Sequence, residues 1–392
     1  MVPNAADRPV ARKISINAVM RTILQQGPQS RTSIAKITGL SKQTISEVVR
    51  DLENDAWLVP VGHIEAKAGR NALGYEINHR AAFAVGMDIG GTKIAAAVTD
   101  LAGNILSETV VPTDKRGGEH LVAQLETVVA DLMTEAGAPR SKLSIAVLGT
   151  PGYQQPGTGH IAIAPNIPGL DSIDLRGLLS TRLGVPVEIE NDVNLAACGE
   201  QWRGHGKEID NFAFVAFGTG VGMGLIANGK LVRGARGGAG EIAYLPIGAD
   251  PYDSRGFLLG TLESSIGSVA ISERYQGFGG KAGSTVRDIF AALETGDQAA
   301  VAALEETGRI AASALAAIAA ILDPELVVLG GSIGARQELM DVICRHLPRC
   351  TPLPLRLELS QFGSRAALMG AVGVATNRMH ETLFGVEIQL PG

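Results

Sequence analysis

Two short polar stretches contain residue types suited to binding or transferring phosphate. The first, DIGGTK, begins at Asp88 and lies between two apolar runs. Gly90 and Gly91 allow backbone amides to approach a phosphate closely, Thr92 and Lys93 add a hydroxyl and a positive charge, and Asp88 can hold a metal-bound water. The alternative is a β-hairpin that needs its glycines only for their backbone angles.

The second stretch, ENDVN, follows the apolar run VEI and leads into a helical pattern. Asn and Asp are preferred helix N-caps, so Asn191 and Asp192 have a structural explanation. One cap residue suffices for a helix, however, and Glu190 and Asn194 bring the number of polar groups to four. The stretch therefore remains a candidate binding site as well as a helix start.

Residues 1–80 have the pattern of a DNA-reading module. Apolar residues recur with helical spacing in 13–26, RTSIAKIT follows a Gly-Pro stop, and a longer amphipathic helix starts after a glycine. This is the helix-turn-helix outline, and the alternating stretch after it indicates a two-stranded wing. The alternative is a three-helix packing module with a solvated polar face. The residues predicted to contact DNA are Ser41, Lys42, Gln43, Thr44, Ser46 and Arg50 on the helix, with Lys67 and Arg70 near the wing tip.

The composition predicts a cytoplasmic protein of two or three domains. The 392 residues exceed the usual limit for one core. The three cysteines form no CxxC pair, no signal-peptide pattern opens the sequence, and the most apolar run, 310–322, is too short to span a bilayer. Residues 1–80 hold 11 Lys and Arg against 7 Asp and Glu, whereas the remainder holds 23 against 33, so only the head is basic. No membrane partner is expected.

The body contains an internal duplication. FAVGMDIGGTKIAAAVTDLAGNIL and FAFVAFGTGVGMGLIANGKLV both read as strand, glycine turn, strand, reverse turn, strand. This predicts two similar α/β lobes with a ligand cleft between them. We expect the first lobe at about 81–195, the second at about 196–370, and a C-terminal helix at about 366–382 that can return to the first lobe.

Seven motifs occur in order, namely DIGGTK, GTPGY, APNIPG, ENDVN, GTGVGMG, GAGEIAY and DPELVVLGG. Together they resemble the ROK family of bacterial sugar kinases and sugar-responsive repressors, and the winged head resembles the repressor branch. The resemblance covers nearly the whole body. It implies an α/β, two-lobed actin-like ATPase (sugar kinase) fold over 81–392, preceded by an all-α winged helix-turn-helix DNA-binding domain over 1–80.

The resemblance also implies roles for residues of the body. Asp192 would be the general base that takes a proton from the attacking sugar hydroxyl. The implied sugar contacts are Asn166, Asn191, Asp192, Glu241, Tyr244 and Glu263. Asn166 is equally explained as a turn residue. For Glu241 the alternative is a solvated loop carboxylate, which the surrounding apolar residues and glycines disfavour. ATP with Mg would bind at Asp88, Gly90, Gly91, Thr92, Lys93, Gly218, Thr219, Gly220, Gly330 and Gly331, of which the last two would contact the adenosine end.

One family motif is missing. Zinc-containing relatives carry a histidine three residues after the glutamate of GAGEIAY and then three cysteines. Here Tyr244 replaces the histidine, and Ser254, Gly256 and Thr261 replace the cysteines. Thiolates and imidazoles hold a structural zinc, so no structural zinc is expected, and no residue of the chain is predicted as a direct metal ligand. Because the histidine also shapes the family's sugar pocket, Tyr244 is expected to alter which sugar fits.

Three functions are compatible with these features. The first is a sugar-responsive transcriptional regulator, a repressor of carbohydrate metabolism genes, in which lobe closure changes the spacing of two heads in a dimer. The second is an active ATP-dependent sugar kinase, of glucokinase-like hexose specificity, that carries a DNA-binding head. The third is a ligand-binding protein whose head contacts other proteins. The expected partners are a double-stranded operator, a sugar or sugar derivative, and further copies in a homodimer or homotetramer.

Overall fold

The structure, a computed structural model, describes residues 10–65, 71–154, 161–162 and 167–385. The chain divides into two compact units. The first comprises residues up to 151, 159–190 and the chain from 371, and the second comprises 152–158 and 191–370. The domain and lobe boundaries expected from the sequence stay predictions. None of the described helices combines the length and hydropathy that crossing a membrane requires.

The head, which opens the first unit, is a three-helix bundle with a small antiparallel sheet of order β1-β3-β2. Ser30 and Ser41 cap α2 and α3, and Gly39 ends α2 in the left-handed conformation. The first helix begins three residues before its predicted start, since Ala11 and Arg12 are good helix formers. The elements are α1 (Val10–Gln26), β1 (Gln29–Ser30), α2 (Arg31–Thr38), α3 (Lys42–Asn54), β2 (Leu58–Glu65) and β3 (Asn71–Ile77).

A five-stranded mixed sheet of order β10-β7-β4-β5-β6 forms the centre of the first lobe. An antiparallel meander, β4 to β6, is extended by β7, which pairs with β4 in parallel. The strands are β4 (Phe83–Ile89), β5 (Lys93–Asp100), β6 (Ile105–Pro112), β7 (Leu143–Thr150) and β10 (Val187–Asn191). The helices are α4 (Gly118–Glu135) and α5 (Leu175–Leu183), with short strands β8 (Tyr153–Gln154) and β9 (Ile161–Ala162) between them. Helices α4 and α5 contribute to the apolar core that buries β4 and β5 almost completely.

The second unit repeats this pattern. Its sheet has the order β13-β12-β11-β14-β15, again an antiparallel meander extended by a parallel strand. The strands are β11 (Phe212–Phe217), β12 (Val221–Ala227), β13 (Lys230–Leu231), β14 (Leu326–Gly330) and β15 (Leu357–Leu359). The helices are α6 (Asp192–Arg203), α7 (Ser254–Leu259), α8 (Glu263–Ile266), α9 (Ser268–Gly277), α10 (Val286–Glu294), α11 (Gln298–Leu322), α12 (Gly331–Gly334) and α13 (Gln337–Cys350). The duplication read from the sequence is therefore a structural duplication.

The last helix, α14 (Ala366–Phe384), is divided between the units. Its residues up to 370 belong to the second unit and those from 371 to the first. Single-turn 3-10 helices occur at His79–Ala81, Arg140–Lys142, Ile242–Tyr244 and Gly363–Arg365. The first of these joins the head to β4.

Candidate functional site

The turn between β4 and β5 carries the charged groups of DIGGTK. Asp88 lies half-buried near the end of β4, whereas Thr92 and Lys93 are exposed. The Gly90 amide donates to the Lys93 carbonyl over 2.9 Å, and Thr113 Oγ1 donates to the Gly90 carbonyl over 2.6 Å. The turn is therefore closed by its own backbone and presents a hydroxyl and an ammonium near a carboxylate.

The Asp88 carboxyl has an unusual acidity. Burial raises the pKa of Asp88 to about 6, although the positive charge of Lys93 lowers it. A nearby cation would stabilise the ionised form of such a carboxyl and would lower its pKa. Perturbed groups of this type are enriched at functional sites, which supports Asp88 as a candidate ligand for a metal-bound water.

The turn between β11 and β12 is held mainly by backbone from other elements of the second unit. The Gly218 amide donates to the Gly220 carbonyl over 2.9 Å, and the Ser268 amide donates to the Gly218 carbonyl over 3.1 Å. Gly331 has a φ of 79°, and a Cβ there would lie 2.3 Å from the Phe217 carbonyl oxygen. The glycines after β14 and the second glycine turn thus adjoin each other.

Two further predicted nucleotide residues lie at this turn. Thr219 is exposed at its tip. Gly330 is the last residue of β14, and a Cβ there would lie 2.1 Å from the ring of Phe214. Only glycine fits this close approach, so Gly330 has a packing role whether or not a nucleotide binds.

A cavity of about 840 Å³ opens beside the second glycine turn. Its wall includes Ser268 of α9, Ser332 of α12 and Arg336, whose guanidinium lies 4.8 Å from the centre of the Phe290 ring. The volume is typical of small-molecule sites, and hydroxyls with a stacked guanidinium suit a nucleoside. The residues present therefore fit the adenosine part of a nucleotide.

The first residues of β12 fix two groups of the predicted sugar site. The Val221 amide donates to Glu263 Oε2 over 2.9 Å. A Cβ on Gly222 would lie 3.1 Å from the Val193 side chain, so the start of α6 packs directly on the strand. Since Asp192 precedes Val193, β12 positions the helix end that carries the predicted base.

The third residue of β12, Met223, holds the loop that carries Glu241, the second carboxylate of the predicted sugar site. The Met223 amide donates to the Gly240 carbonyl over 3.0 Å, and a Cβ on Gly240 would lie 1.9 Å from the Met223 carbonyl oxygen. Burial raises the pKa of Glu241 and, together with the negative charge of Glu241, that of Glu263. The hydrogen bond from Val221 opposes the shift at Glu263. Two mutually repelling carboxylates in one neighbourhood can accept hydrogen bonds from sugar hydroxyls.

Asn191 is the N-cap of α6. Its Oδ1 accepts from the Val193 and Asn194 amides over 2.9 and 3.0 Å, and its Nδ2 donates to the Gly152 carbonyl over 3.0 Å. Asp192 Oδ1 also accepts from the Val193 amide over 2.9 Å. The structural alternative weighed from the sequence therefore holds for Asn191, and its sugar contact, like the base role of Asp192, stays a prediction.

The positions that replace the zinc ligands lie around α7. Tyr244 is 45% exposed at the end of a 3-10 helix, and Ser254 begins α7. A Cβ on Gly256 would lie 3.0 Å from Thr261 Oγ1, so these two positions are adjacent. Within the described ranges, no group of three or more His, Cys, Asp or Glu side chains is arranged to hold a metal ion.

The recognition face of α3 is polar and accessible. Its apolar face, Ile45, Val48, Val49 and Leu52, is buried in the head. The opposite face presents Ser41, Lys42, Gln43, Ser46 and Arg50 as exposed residues, with Thr44 half-buried. This arrangement suits contacts to DNA phosphates and base edges.

The acidic residues of α3 are paired within the head. Arg12 forms ion pairs with Asp51 and Glu47, and Arg31 Nη2 lies 3.6 Å from Glu53 Oε2. These pairs reduce the negative charge that α3 would otherwise present to a phosphate backbone. Arg50 Nε lies 4.0 Å from Asp51 Oδ1, a weak contact that exposure of the guanidinium leaves open to competition.

Three predicted site residues, Asn166, Lys67 and Arg70, lie outside the described residues. Sequence reasoning in turn missed Ser268, Ser332 and Arg336, which line the cavity. Ser332 directly follows Gly330 and Gly331, so proximity to that motif could have indicated it. Nothing in the sequence links Ser268 or Arg336 to the glycine turn, because both reach it through tertiary packing.

Comparisons with known proteins agree with this geometry. The model of the ROK family matches residues 84–378. The xylose repressor of Caldicellulosiruptor bescii is 25% identical over 94% of this chain and 96% of its own length. A solved ROK family transcriptional regulator, a homologue of the E. coli Mlc protein, superposes with a TM-score of 0.77 at 24% identity over 97% of this chain and 99% of its own.

The body also matches a kinase. The solved ROK family glucokinase of Streptomyces griseus, in complex with glucose and AMPPNP, is 29% identical with a TM-score of 0.61 over 75% of this chain and 99% of its own. These matches confirm the resemblance and the predicted fold class. Because the family model matches well over half of its length, the chain belongs to the ROK family.

Proposed function

We propose that the chain is a sugar-responsive transcriptional regulator that represses carbohydrate metabolism genes. The observation that carries the proposal is the presence, in one chain, of an exposed polar recognition helix and a carboxylate site built on β12. The function predicted from the sequence, a sugar-responsive regulator, is confirmed by the similarity to the xylose repressor, which extends over the head as well as the body. The packing-module alternative for the head leaves the polar face of α3 without a role.

The head supplies the DNA contacts. Lys42 and Arg50 neutralise phosphates, while Gln43 and Ser46 donate to base edges in the major groove. Lys67 and Arg70, which lie outside the described residues, keep their role from the sequence as predicted contacts to the flanking DNA backbone. Helix-turn-helix dimers read half-sites about 34 Å apart, so we propose that a homodimer is the DNA-binding species.

The body supplies the effector site. Glu241 and Glu263 accept hydrogen bonds from sugar hydroxyls, with Asn166 and Asn191 as further contacts and Tyr244 restricting which sugar fits. Partial burial raises the pKa of both carboxyls, and hydrogen bonds donated by sugar hydroxyls would favour their ionised forms. D-xylose is the first candidate because the repressor relative carries its name, and D-glucose is the second.

A nucleotide is a second candidate ligand. The adenosine part fits the cavity beside Ser332 and Arg336 in the second unit. In the first unit, the β4–β5 turn separately offers Lys93 to a phosphate and Asp88 to Mg through a water. The glucokinase relative, solved with AMPPNP, supports ATP as the class of ligand. The Mg ion is part of our proposal alone.

The alternative function is an active ATP-dependent sugar kinase with a DNA-binding head. Asp192 would then take the proton of the attacking sugar hydroxyl. The glucokinase relative supports this only weakly, since its match covers 75% of this chain, whereas the match to the xylose repressor covers 94%. Sugar-stimulated ADP release that the Asp192→Asn variant loses, while still binding the sugar, would establish the kinase. ADP release no higher than in that variant excludes it.

The regulator is tested by DNA binding. The full-length protein is used to select a duplex from a random pool, and the shift of that duplex in a gel is measured with D-xylose, D-glucose or mannitol as a polyol control. We expect salt-sensitive binding that one of the two sugars weakens and mannitol does not. Absence of salt-sensitive binding to any duplex contradicts the proposal and favours a head that contacts proteins.

A further inference from the structure

Helix α14 contacts, within each unit, an element that carries part of the proposed site. Its first residues pack on α6 in the second unit. A Cβ on Gly370 would lie 1.7 Å from the Leu195 carbonyl oxygen, and a Cβ on Gly199 would lie 2.6 Å from the Ala366 carbonyl oxygen. The backbones of α6 and α14 are therefore in direct contact, without intervening side chains that could absorb a shift.

The next part of α14 packs on β4 in the first unit. A Cβ on Gly86 would lie 2.5 Å from the Val372 amide nitrogen. Gly86 precedes Asp88 by two residues on the same strand. The helix is thus seated on the strand that leads into the first glycine turn, again backbone against backbone.

The far end of α14 contacts the head. The ring of Phe384 meets the ring of Trp57 edge to face, with the centroids 5.2 Å apart, and Asn17 Nδ2 donates to the Gly385 carbonyl over 2.7 Å. Trp57 and Phe384 are only 7% and 6% exposed. Trp57 follows the last residue of α3 by three positions, so this contact lies at the base of the recognition helix.

A second contact joins the same end of α14 to the linker of the head. His380 is fully buried, and its Nε2 lies 2.7 Å from the Leu101 carbonyl. A carbonyl only accepts, so Nε2 carries the proton and donates. The Leu101 amide in turn donates to the His79 carbonyl over 3.0 Å. Leu101 therefore ties the linker to α14.

The packing of α14 leaves polar atoms unsatisfied. His380 Nδ1 and Asn377 Oδ1 are buried without a hydrogen-bond partner in the described part of the chain. Buried polar atoms in this condition are costly, so a displaced arrangement of α14 that pairs them has a compensating gain. A helix can populate two positions only if the free energies of the two arrangements are similar, and a gain of this kind in the displaced position would bring them closer.

We propose that α14 is the element that transmits sugar occupancy to the DNA-binding head. Sugar binding at the start of α6 shifts α14, and Phe384 moves Trp57 and with it the base of α3. The inference rests on the proposed function and names how its site is regulated. Phe384 is accordingly a positioning residue for α3 and has no contact with DNA or sugar.

The first test measures the coupling between the two ligands. The affinity of full-length protein for its selected duplex is determined with and without the sugar, D-xylose or D-glucose, that raises its melting temperature. We expect a ratio of at least about fivefold in the wild type, and less than about twofold in Phe384→Ala. The affinity for the sugar itself should remain within about twofold, because Phe384 packs against Trp57 of the head and is not one of the predicted sugar residues.

Two further variants serve as controls. Phe384→Leu keeps an apolar contact with Trp57 and should restore most of the coupling, and Ile321→Ala, an exposed apolar residue of α11, should leave it unchanged. A wild-type response that Phe384→Ala retains in full overturns the inference alone. A wild type that responds to neither sugar overturns the proposed function and the inference with it.

The second test needs no DNA and applies even where a variant fails to bind DNA. The chain has two tryptophans, so Trp202→Phe leaves Trp57 as the sole indole. We expect the stabilising sugar to change the emission of Trp57 in this variant, with mannitol giving no change. Unchanged emission at saturating sugar overturns the inference, since the contact between Phe384 and Trp57 would then be static.

Discussion

The two glycine turns occupy equivalent places in duplicated sheets, yet they are built in different ways. The β4–β5 turn carries its own charges, Asp88 and Lys93, and is closed by the backbone bond from Gly90 to Lys93, with Thr113 after β6 as its one distant anchor among the bonds of the described residues. The β11–β12 turn has no charged residue of its own. It receives backbone and side-chain groups from distant positions, among them Ser268, Glu263 and Gly331.

The difference indicates that the two turns have different roles, although they occupy equivalent places in the duplicated sheets. The first turn is an electrostatic element whose properties depend on pH and on bound cations. The second turn is a structural hub, because the same β12 end holds the two carboxylates that we propose as sugar contacts and adjoins the cavity that we propose for a nucleoside. Substitutions at the first turn should therefore change charge-dependent behaviour, whereas those at the second should change stability and sugar affinity.

The largest expected effect concerns how well glycine positions at the two turns tolerate an added methyl group. Gly331 packs against the second turn, and Gly90 lies in the first. Gly331→Ala requires a left-handed alanine and places Cβ against the Phe217 carbonyl, so we expect the free energy of unfolding to fall by about 2–5 kcal/mol. Gly90→Ala meets the Lys93 carbonyl oxygen only at 3.3 Å and should cost less than about 1 kcal/mol. Urea denaturation of both variants provides the measurement. Equal losses would remove the distinction between the turns.

The next effect concerns the charge at the first turn. Since the folded pKa of Asp88 is about 6 and the unfolded value is 3.8, the folded protein keeps a proton that the unfolded chain has lost between these pH values. Wild-type stability from this group therefore falls as the pH rises through that window and stays reduced above it. Asp88→Asn should stabilise the protein at pH 8 by at most about 3 kcal/mol, and not at pH 3.

A matched carboxyl gives the opposite expectation. Hydrogen bonds from Arg116 lower the pKa of Asp114 to about 2, so its ionised form is favoured in the folded state. Asp114→Asn should therefore bring no stabilisation at pH 8 when the thermal unfolding of both Asn variants and the wild type is compared at pH 3 and pH 8. A gain in this variant, or none in Asp88→Asn, would show that burial of Asp88 is not the cause.

A smaller effect is expected at the hub. Glu263→Gln removes the charge that accepts from the Val221 amide and, in our proposal, from a sugar hydroxyl. We expect sugar affinity by calorimetry to fall about tenfold, which corresponds to about 1.4 kcal/mol. Glu358→Gln, on the surface strand β15, is the control and should bind sugar as the wild type does. Undiminished affinity in Glu263→Gln removes Glu263 from the sugar site.

The smallest expected effect concerns the influence of Lys93 on the pKa of Asp88 within the first turn. The positive charge of Lys93 lowers the pKa of Asp88, so Lys93→Ala should raise that pKa further. Because Lys93 is exposed and screened by solvent, we expect a fraction of a pKa unit, worth less than about 1.4 kcal/mol. Carboxyl NMR titration of Asp88 measures the shift, with Lys115→Ala as the control. A downward shift contradicts the assigned role of Lys93.

The predictability of the fold and site follows the same contrast. The recognition helix, its Ser41 cap, the strands around DIGGTK and the cap at Asn191 were all predictable, because their signals lie within a few residues. The hydrogen bond from Val221 to Glu263 joins residues 42 apart, and the packing of Gly331 on Phe217 spans a longer separation. Contacts of this kind depend on how the sheets and helices pack, which no local pattern encodes.

In our proposal, DNA and sugar binding are coupled within one chain. Linkage requires that DNA change the affinity for sugar by the same factor as sugar changes the affinity for DNA. The direct measurement is the dissociation constant of the stabilising sugar for the protein alone and for the protein saturated with its selected duplex. We expect binding at least about fivefold weaker on DNA, and equal constants in the two states would contradict the coupling.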